Sequence, residues 1–219
     1  RNLHAAMTSP RRRTPRQRHP ELERDFVRTP ALGYEDMEGS GLVRCLAHGF
    51  PSPLVRWHFH EEYELHLITH TSGRAFVGDW IGPFEPGHLV LCGPRLPHNW
   101  ISFDAPDGGS PARDYVILFN HDPIARAAEQ IPEMREVLQL LDRARHGIEF
   151  FGLAQTARAH WDAVRSARGM RRFTAFARCC PIWPSAPTTG CCQPCRCRAP
   201  RARLRWIRST RWSTASWRA

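Results

Sequence analysis

The side chains best equipped for chemistry lie in residues 56–103, which read RWHFHEEYELHLITHTSGRAFVGDWIGPFEPGHLVLCGPRLPHNWISF. In an extended chain alternate side chains share a face, so His58, His60 and Glu64 can point the same way. A third imidazole, His98, arrives on a later segment. Two or three imidazoles converging with a carboxylate make a nitrogen and oxygen site suited to Zn, Fe, Ni or Mn. His66 has the same parity as Glu64 and is expected to line the same interior rather than to act as a ligand. Trp57, Phe59, Tyr63, Leu65 and Leu67 have the opposite parity and are expected to pack in the core. Trp80 and Trp100 are placed either to stack on a sugar or aromatic ligand or to pack as buried aromatics. His70 and His88 are expected at the surface, and Cys45 and Cys92 as reduced core thiols.

These residues must be held by short strands. Apolar runs broken by Gly and Pro predict strands at 42–48, 55–59, 63–70, 74–79, 88–92, 99–103 and 114–119. Seven short strands at a spacing near 10 residues suggest a sandwich or small barrel. After Asn120 the period changes. Met134, Val137, Leu138 and Leu141 fall on one helical stripe, with Pro132 and Glu133 at its start and His146 and Gly147 at its end. A second helix is predicted over 152–167, with Leu153, Ala157, His160, Trp161 and Val164 on one stripe, and a third from Met170.

At His58, His60 and Glu64 the sequence resembles the HxHxxxE core of the first cupin motif, followed by Gly73. EPGHLVLCGPRLPHNW, with Pro86, Gly87, Pro97, His98 and Trp100, resembles the second motif in the form found in the sensor domain of AraC-type transcription regulators. PEMREVLQLLDRARHGIEFFG and RRFTAFAR are similar to the helical linker of such regulators, so the resemblance spans about residues 42–178. It implies a mainly β fold, a cupin-like double-stranded β-helix barrel followed by two or three α-helices. It also implies a small-molecule effector, a homodimer formed through helices within 133–178, and no catalysis. Specific DNA binding would belong only to an intact family member. The spacing from Pro86 to His98 is longer than in compact cupin enzymes, and His88 follows Gly87 where an acid is common. The four residues His58, His60, Glu64 and His98 therefore fit a bound metal, a metal-free polar pocket contacting an effector, or structural hydrogen bonding. The competing class is a metal-dependent cupin enzyme, a dioxygenase or isomerase.

Charge is distributed unevenly along the 219 residues. The net charge is +10 and every basic residue is Arg, but residues 1–28 carry +5, residues 29–178 carry −3 and residues 179–219 carry +8. A basic globular domain wrapped by nucleic acid is thus not supported for the middle of the chain. Residues 1–28 read as a disordered Arg- and Pro-rich arm, 29–122 as the barrel and 123–178 as the helical region. From Cys179 the chain holds six of its eight Cys and four of its eight Trp, with no acid and no His. Its CysCys and CxC pairs do not have zinc-site spacing, and Cys192 and Cys195 form its one CxxC. Such a composition is what a GC-rich gene gives when read out of frame, so 179–219 is expected to be a non-native, disordered tail standing where a DNA-binding domain would follow. Met7 is the first Met, so residues 1–6 are expected to precede the true start. The sequence shows no signal-peptide pattern and no run of 18 apolar residues, so a cytoplasmic location is expected.

Overall fold

The structure is a computed structural model that describes residues 19–23 and 42–178, together with the backbone of 203–206. The strands are β1 (Glu21–Leu22), β2 (Val43–Phe50), β3 (His58–Phe59), β4 (Tyr63–Ile68), β5 (Gly73–Val77), β6 (Trp80–Phe84), β7 (Leu89–Cys92), β8 (His98–Ser102), β9 (Ser110–Phe119), β10 (Ile148–Phe151) and β11 (Arg203–Trp206). The helices are α1 (His121–Gln130), α2 (Met134–Ala144), α3 (Ala154–Ser166) and α4 (Gly169–Ala177).

The strands form two sheets, one ordered β1-β3-β8-β5-β6 and the other β11-β10-β7-β4-β9-β2. From β2 to β9 the chain crosses repeatedly between them: β2, β4, β7 and β9 lie in the six-stranded sheet, and β3, β5, β6 and β8 in the five-stranded one. That winding is the double-sheet jelly roll used by cupin-like barrels, so the mainly β architecture expected from the sequence is present. All pairings are antiparallel except β1 with β3.

Strand β4 shows how alternation positions the site. Tyr63, Leu65 and Leu67 join Val43, Cys45, Leu89, Leu91, Ile117 and Phe119 in a core shared with Leu141, Trp161, Val164 and Phe176 of the helices. The other parity of β4 faces between the sheets, where Ile68 packs with Ala75, Val77, Val90, Cys92 and Trp100. Glu64 and His66 follow that inner parity, and both are buried. Removing the outer apolar set from water supplies the hydrophobic drive. The inner set has room for polar groups because the outer one closes the sheet.

Several elements depart from expectation. Strand β6 was hidden by the GlyPro at 82–83, which reads as a turn; Pro83 is tolerated because β6 is the last strand of its sheet. The turn from β5 is Gly78 and Asp79, with Gly78 at φ +59°. Helix α1 and strand β10 were also unforeseen. Gly147, at φ +79°, ends the helical stretch and turns the chain into β10, which pairs with β7. Trp57 and Phe59 are only half-buried, not core: Trp57 meets the edge of Phe76, and Phe59 lies under the Arg95 guanidinium. Residues 21–22 of the expected arm pair with β3, and residues 203–206 of the expected tail pair with β10. Residues 1–18 and 24–28 of the first segment and residues 179–202 and 207–219 of the second lie outside the described residues.

The turn at 93–97 joins the helices to the barrel. Gly93 donates its N–H to the Ala144 carbonyl at 2.8 Å, and a Cβ at Gly93 would come within 2.8 Å of the Ala144 and Arg145 backbone. Only glycine permits that approach.

Candidate functional site

Two paired strands bring the expected histidines together. His58 of β3 lies directly opposite His98 of β8, and His60 follows β3 by one residue. Each of the three rings can offer a nitrogen such that the three atoms lie within 4.8 Å of one another, and all three residues are buried. Ring centroids are 4.6 Å apart for His58 and His98, and 5.0 Å for His60 and His98.

Backbone carbonyls set the tautomers. His58 Nδ1 is 2.7 Å from the Arg56 oxygen, His60 Nδ1 3.1 Å from the Glu62 oxygen, and His98 Nδ1 2.8 Å from the Leu96 oxygen. A carbonyl can only accept, so each Nδ1 carries its proton and donates. With Nδ1 protonated, Nε2 of each ring is the nitrogen left to face a carboxylate or, on a neutral ring, a metal. His98 Nε2 is buried without a hydrogen-bond partner. Glu64 completes one side: its Oε2 is 2.9 Å from His60 Nε2 and 3.6 Å from His98 Nε2.

Behind Glu64 runs a second polar chain that orients it. His66 Nδ1 is 2.6 Å from Glu64 Oε1, and His66 Nε2 is 2.7 Å from Asp114 Oδ1. Asp114 accepts two hydrogen bonds from the Arg113 guanidinium, at 2.7 and 2.9 Å, and lies 3.2 Å from His48 Nδ1. Arg113 in turn donates to the Ser102 hydroxyl and the Trp100 carbonyl. Burial alone would lower the His66 pKa, but its hydrogen bonds to Asp114 and Glu64 outweigh this and push it up to about 9. Burial alone would raise the Glu64 carboxyl; the His98 charge and the hydrogen bonds from His60 and His66 hold it well below its ordinary value. His48 is lowered, because burial there outweighs the attraction of Asp114. His66, with both ring nitrogens given to carboxylates, is a cation bridging two anions and not a lone-pair donor.

A small cleft opens onto this network. His58, Glu64, His66, Trp100, Arg113, His48 and Glu23 form its polar side, with Asn99, and Leu46, Leu54, Val55 and Val116 its apolar side. His58 and Glu64 therefore front the cleft, while His60 and His98 belong to the buried cluster without lining it. Trp100 lines the cleft with its ring centroid 3.9 Å from that of His66. Trp80 does not line it: it stacks on His88 at the far strand of its sheet. His88 is not a surface residue. It is buried, accepts a hydrogen bond from the Trp100 indole at 3.3 Å, and lies 3.6 Å from Glu149. His70 is exposed. Cys45 and Cys92 are buried free thiols, and burial together with the Glu64 charge pushes Cys92 well up, which leaves a protonated packing residue. Sequence reading missed Glu23, His48, Arg113 and Asp114. Asp114 opens the strand predicted at 114–119 and follows Arg113 directly, and an acid beside an Arg at a strand's start is the one signal that could have found it.

The comparisons with known proteins bear on this geometry. The model of the AraC-like ligand binding domain matches residues 40–172, more than half of the chain. The chain belongs to that family. No curated protein matches the chain. Among solved structures it is similar to an oxalate decarboxylase variant of B. subtilis, at 18% identity and a TM-score of 0.28, over 42% of this chain and 29% of that one. The chain thus spans less than a third of that protein's length. Among the described residues no helix is long and apolar enough to cross a membrane.

Proposed function

We propose that the chain is the small-molecule-sensing and dimerisation unit of an AraC-type, DNA-binding transcription regulator, and not an enzyme. The observation that carries this reading is the cleft itself: in a domain of the AraC-like ligand-binding family, His58, Glu64 and Trp100 face one space with an apolar wall behind it. The ligand is an oxygen-bearing small molecule, a sugar or an aromatic compound, that hydrogen-bonds the polar side and packs on Trp100 and the apolar side. In a whole regulator, tighter binding to one arrangement of barrel and helices would shift the population of that arrangement and so the affinity for DNA. Helices within 133–178 form the contact between two copies, and the exposed Met170 and Phe173 of α4 are available for it. A cytoplasmic location is part of the same proposal.

The donor set also fits a divalent transition metal. Three imidazole nitrogens within 4.8 Å of one another, an orphaned Nε2 on His98 and a carboxylate oxygen beside two of the rings suit Zn, Fe, Ni or Mn. A metal bound there would supply a Lewis-acidic anchor for a ligand oxygen. His58, His60, His98 and Glu64 would hold it, and His66 and the three backbone carbonyls would hold those residues in place. The same ligands would serve a dioxygenase or isomerase, so the test must separate the two readings. Metal content of the purified protein is measured first, followed by thermal melting against a panel of sugars and aromatic acids. Sensing predicts a ligand that raises the melting temperature and is recovered unchanged. Turnover of that ligand would overturn the proposal in favour of the enzyme. No thermal shift with any panel member in wild type, alongside unchanged melting of His58→Ala, would remove the cleft as a binding site.

A further inference from the structure

The charge of the folded part is divided more sharply than the net −3 of residues 29–178 shows. Residues 42–153 carry nine Arg against fourteen acids, a net −5, whereas residues 154–178, which make up α3 and α4, carry six Arg against Asp162 alone, a net +5. Asp162 is itself engaged: Arg158 donates to both of its oxygens, at 3.2 and 3.1 Å. Basic character therefore belongs to a folded helix pair as well as to the Arg-rich segments at either end of the chain.

Arginine also fixes the junction of the two helices. Arg168 donates to the Arg165 and Ala167 carbonyls at 3.2 and 3.4 Å, and Arg172 to the Ala167 carbonyl at 2.9 Å. These carbonyls end α3, where cations are favoured, and they orient a guanidinium without cancelling its charge. Beyond the junction α4 has three faces. Phe176 and Ala175 pack into the core. Met170 and Phe173, three residues apart, are exposed on a second face. Arg171 and Arg178, about two turns apart, are exposed on a third. The Arg178 N–H still reaches the Thr174 carbonyl at 3.1 Å, so Arg178 continues the helical path.

We infer that the face of α4 bearing Arg171 and Arg178 is a docking surface for the phosphate backbone of a nucleic acid duplex. The guanidinium fork matches a pair of phosphate oxygens, and two such forks on one helix face meet a repeating row of phosphates. Contacts of this kind hold and orient a duplex without reading its sequence. A membrane surface fits less well, because the apolar face of α4 that carries Phe176 is spent on the core. The acidic barrel of a second copy would meet this end head to tail, an arrangement that does not close on itself. The inference is independent of the cleft and of what binds there.

The test uses the full chain. Residues 1–28 and 179–219 also carry Arg, so the control removes the same charge outside the helices. Binding of a fluorescent DNA duplex of arbitrary sequence is followed against salt. Arg171→Gln combined with Arg178→Gln is expected to weaken binding roughly tenfold or more at about 0.1 M salt, and to lower the slope of log affinity against log salt by about 2. Arg11→Gln combined with Arg12→Gln is expected to change both quantities less. A helix pair that matters no more than the control pair would overturn the inference. Phenylglyoxal modification of the wild type, read by mass spectrometry, checks the place: the duplex is expected to shield Arg171 and Arg178. Unchanged modification of both would overturn the inference even if the double variant failed to fold. Shielding by phosphatidylserine vesicles and not by the duplex would overturn it in favour of a membrane surface. Salt-sensitive self-association that the double variant loses, with duplex binding intact, would overturn it in favour of a second copy.

Discussion

The two faces of the six-stranded sheet share strands and differ in almost everything else. Toward the helices, Tyr63, Leu65, Leu67, Leu91 and Ile117 meet α2, α3 and α4 in an apolar layer. Toward the other sheet, the alternate residues Glu64, His66 and Asp114 form a buried polar chain closed by Arg113. One face is held by area removed from water, which tolerates changes of shape better than changes of polarity. The other is held by matched charges, in which each group depends on its partner. Stability and chemistry are thus separated by the thickness of a single strand.

Breaking the apolar face should have the largest effect. Trp161 is buried against it and donates its indole N–H toward the carbonyls of Leu46 and Val116, a cross-strand pair of β2 and β9. Trp161→Ala is expected to cost about 3–5 kcal/mol in urea unfolding; a loss below 1 kcal/mol would mean that α3 does not stabilise the sheet. Next comes the polar face. Asp114→Asn keeps the volume but leaves Arg113 and His66 facing a neutral amide, and is expected to cost about 3 kcal/mol. A neutral outcome in the same unfolding experiment would show that the network is not matched as described.

A smaller, graded effect follows from pH in metal-free protein. His66 is raised to about 9, so its contribution is complete below its ordinary 6.5 and is lost as pH rises through about 9. Glu64 is depressed, so its contribution is present above its ordinary 4.5 and is lost as pH falls through its folded value. His48, lowered by burial, removes stability as pH drops below 6.5. Stability should therefore peak near pH 6.5, and His66→Gln should flatten the alkaline side. A wild-type curve still rising at pH 9 would contradict this assignment. The smallest effect is expected outside both faces: Ile81 is exposed on β6, and Ile81→Ser should change stability by no more than about 0.5 kcal/mol.

How much of this was legible depended on range. His58, His60 and Glu64 could be placed on one face because two-residue alternation is local, and His98 because its segment carries a motif. Tyr63, Leu65 and Leu67 followed from the same parity. Glu23 could not be placed, because its partner strand lies beyond 18 undescribed residues and nothing local marks it as extended. His48 and Asp114 share a site through the pairing of β2 with β9, which parity alone does not reveal. His88 was misread because a ProGly turn precedes it, and turns usually open to water; here the aromatic rings of Trp80 and Trp100 close over it. Helix α1 escaped notice because its apolar stripe is short, with only Ile124 and Ala128 buried.

The glycine contact at the 93–97 turn gives the barrel a point of leverage. Gly93 grips the end of α2 through Ala144, Arg95 donates its N–H to the His60 carbonyl at 2.7 Å, and the Leu96 carbonyl holds the His98 ring. Five residues thus grasp a helix end and two of the three clustered imidazoles. A displacement of either histidine by a ligand is a load on that turn, and with no side chain at Gly93 to cushion it, the load passes directly to the backbone of the helix.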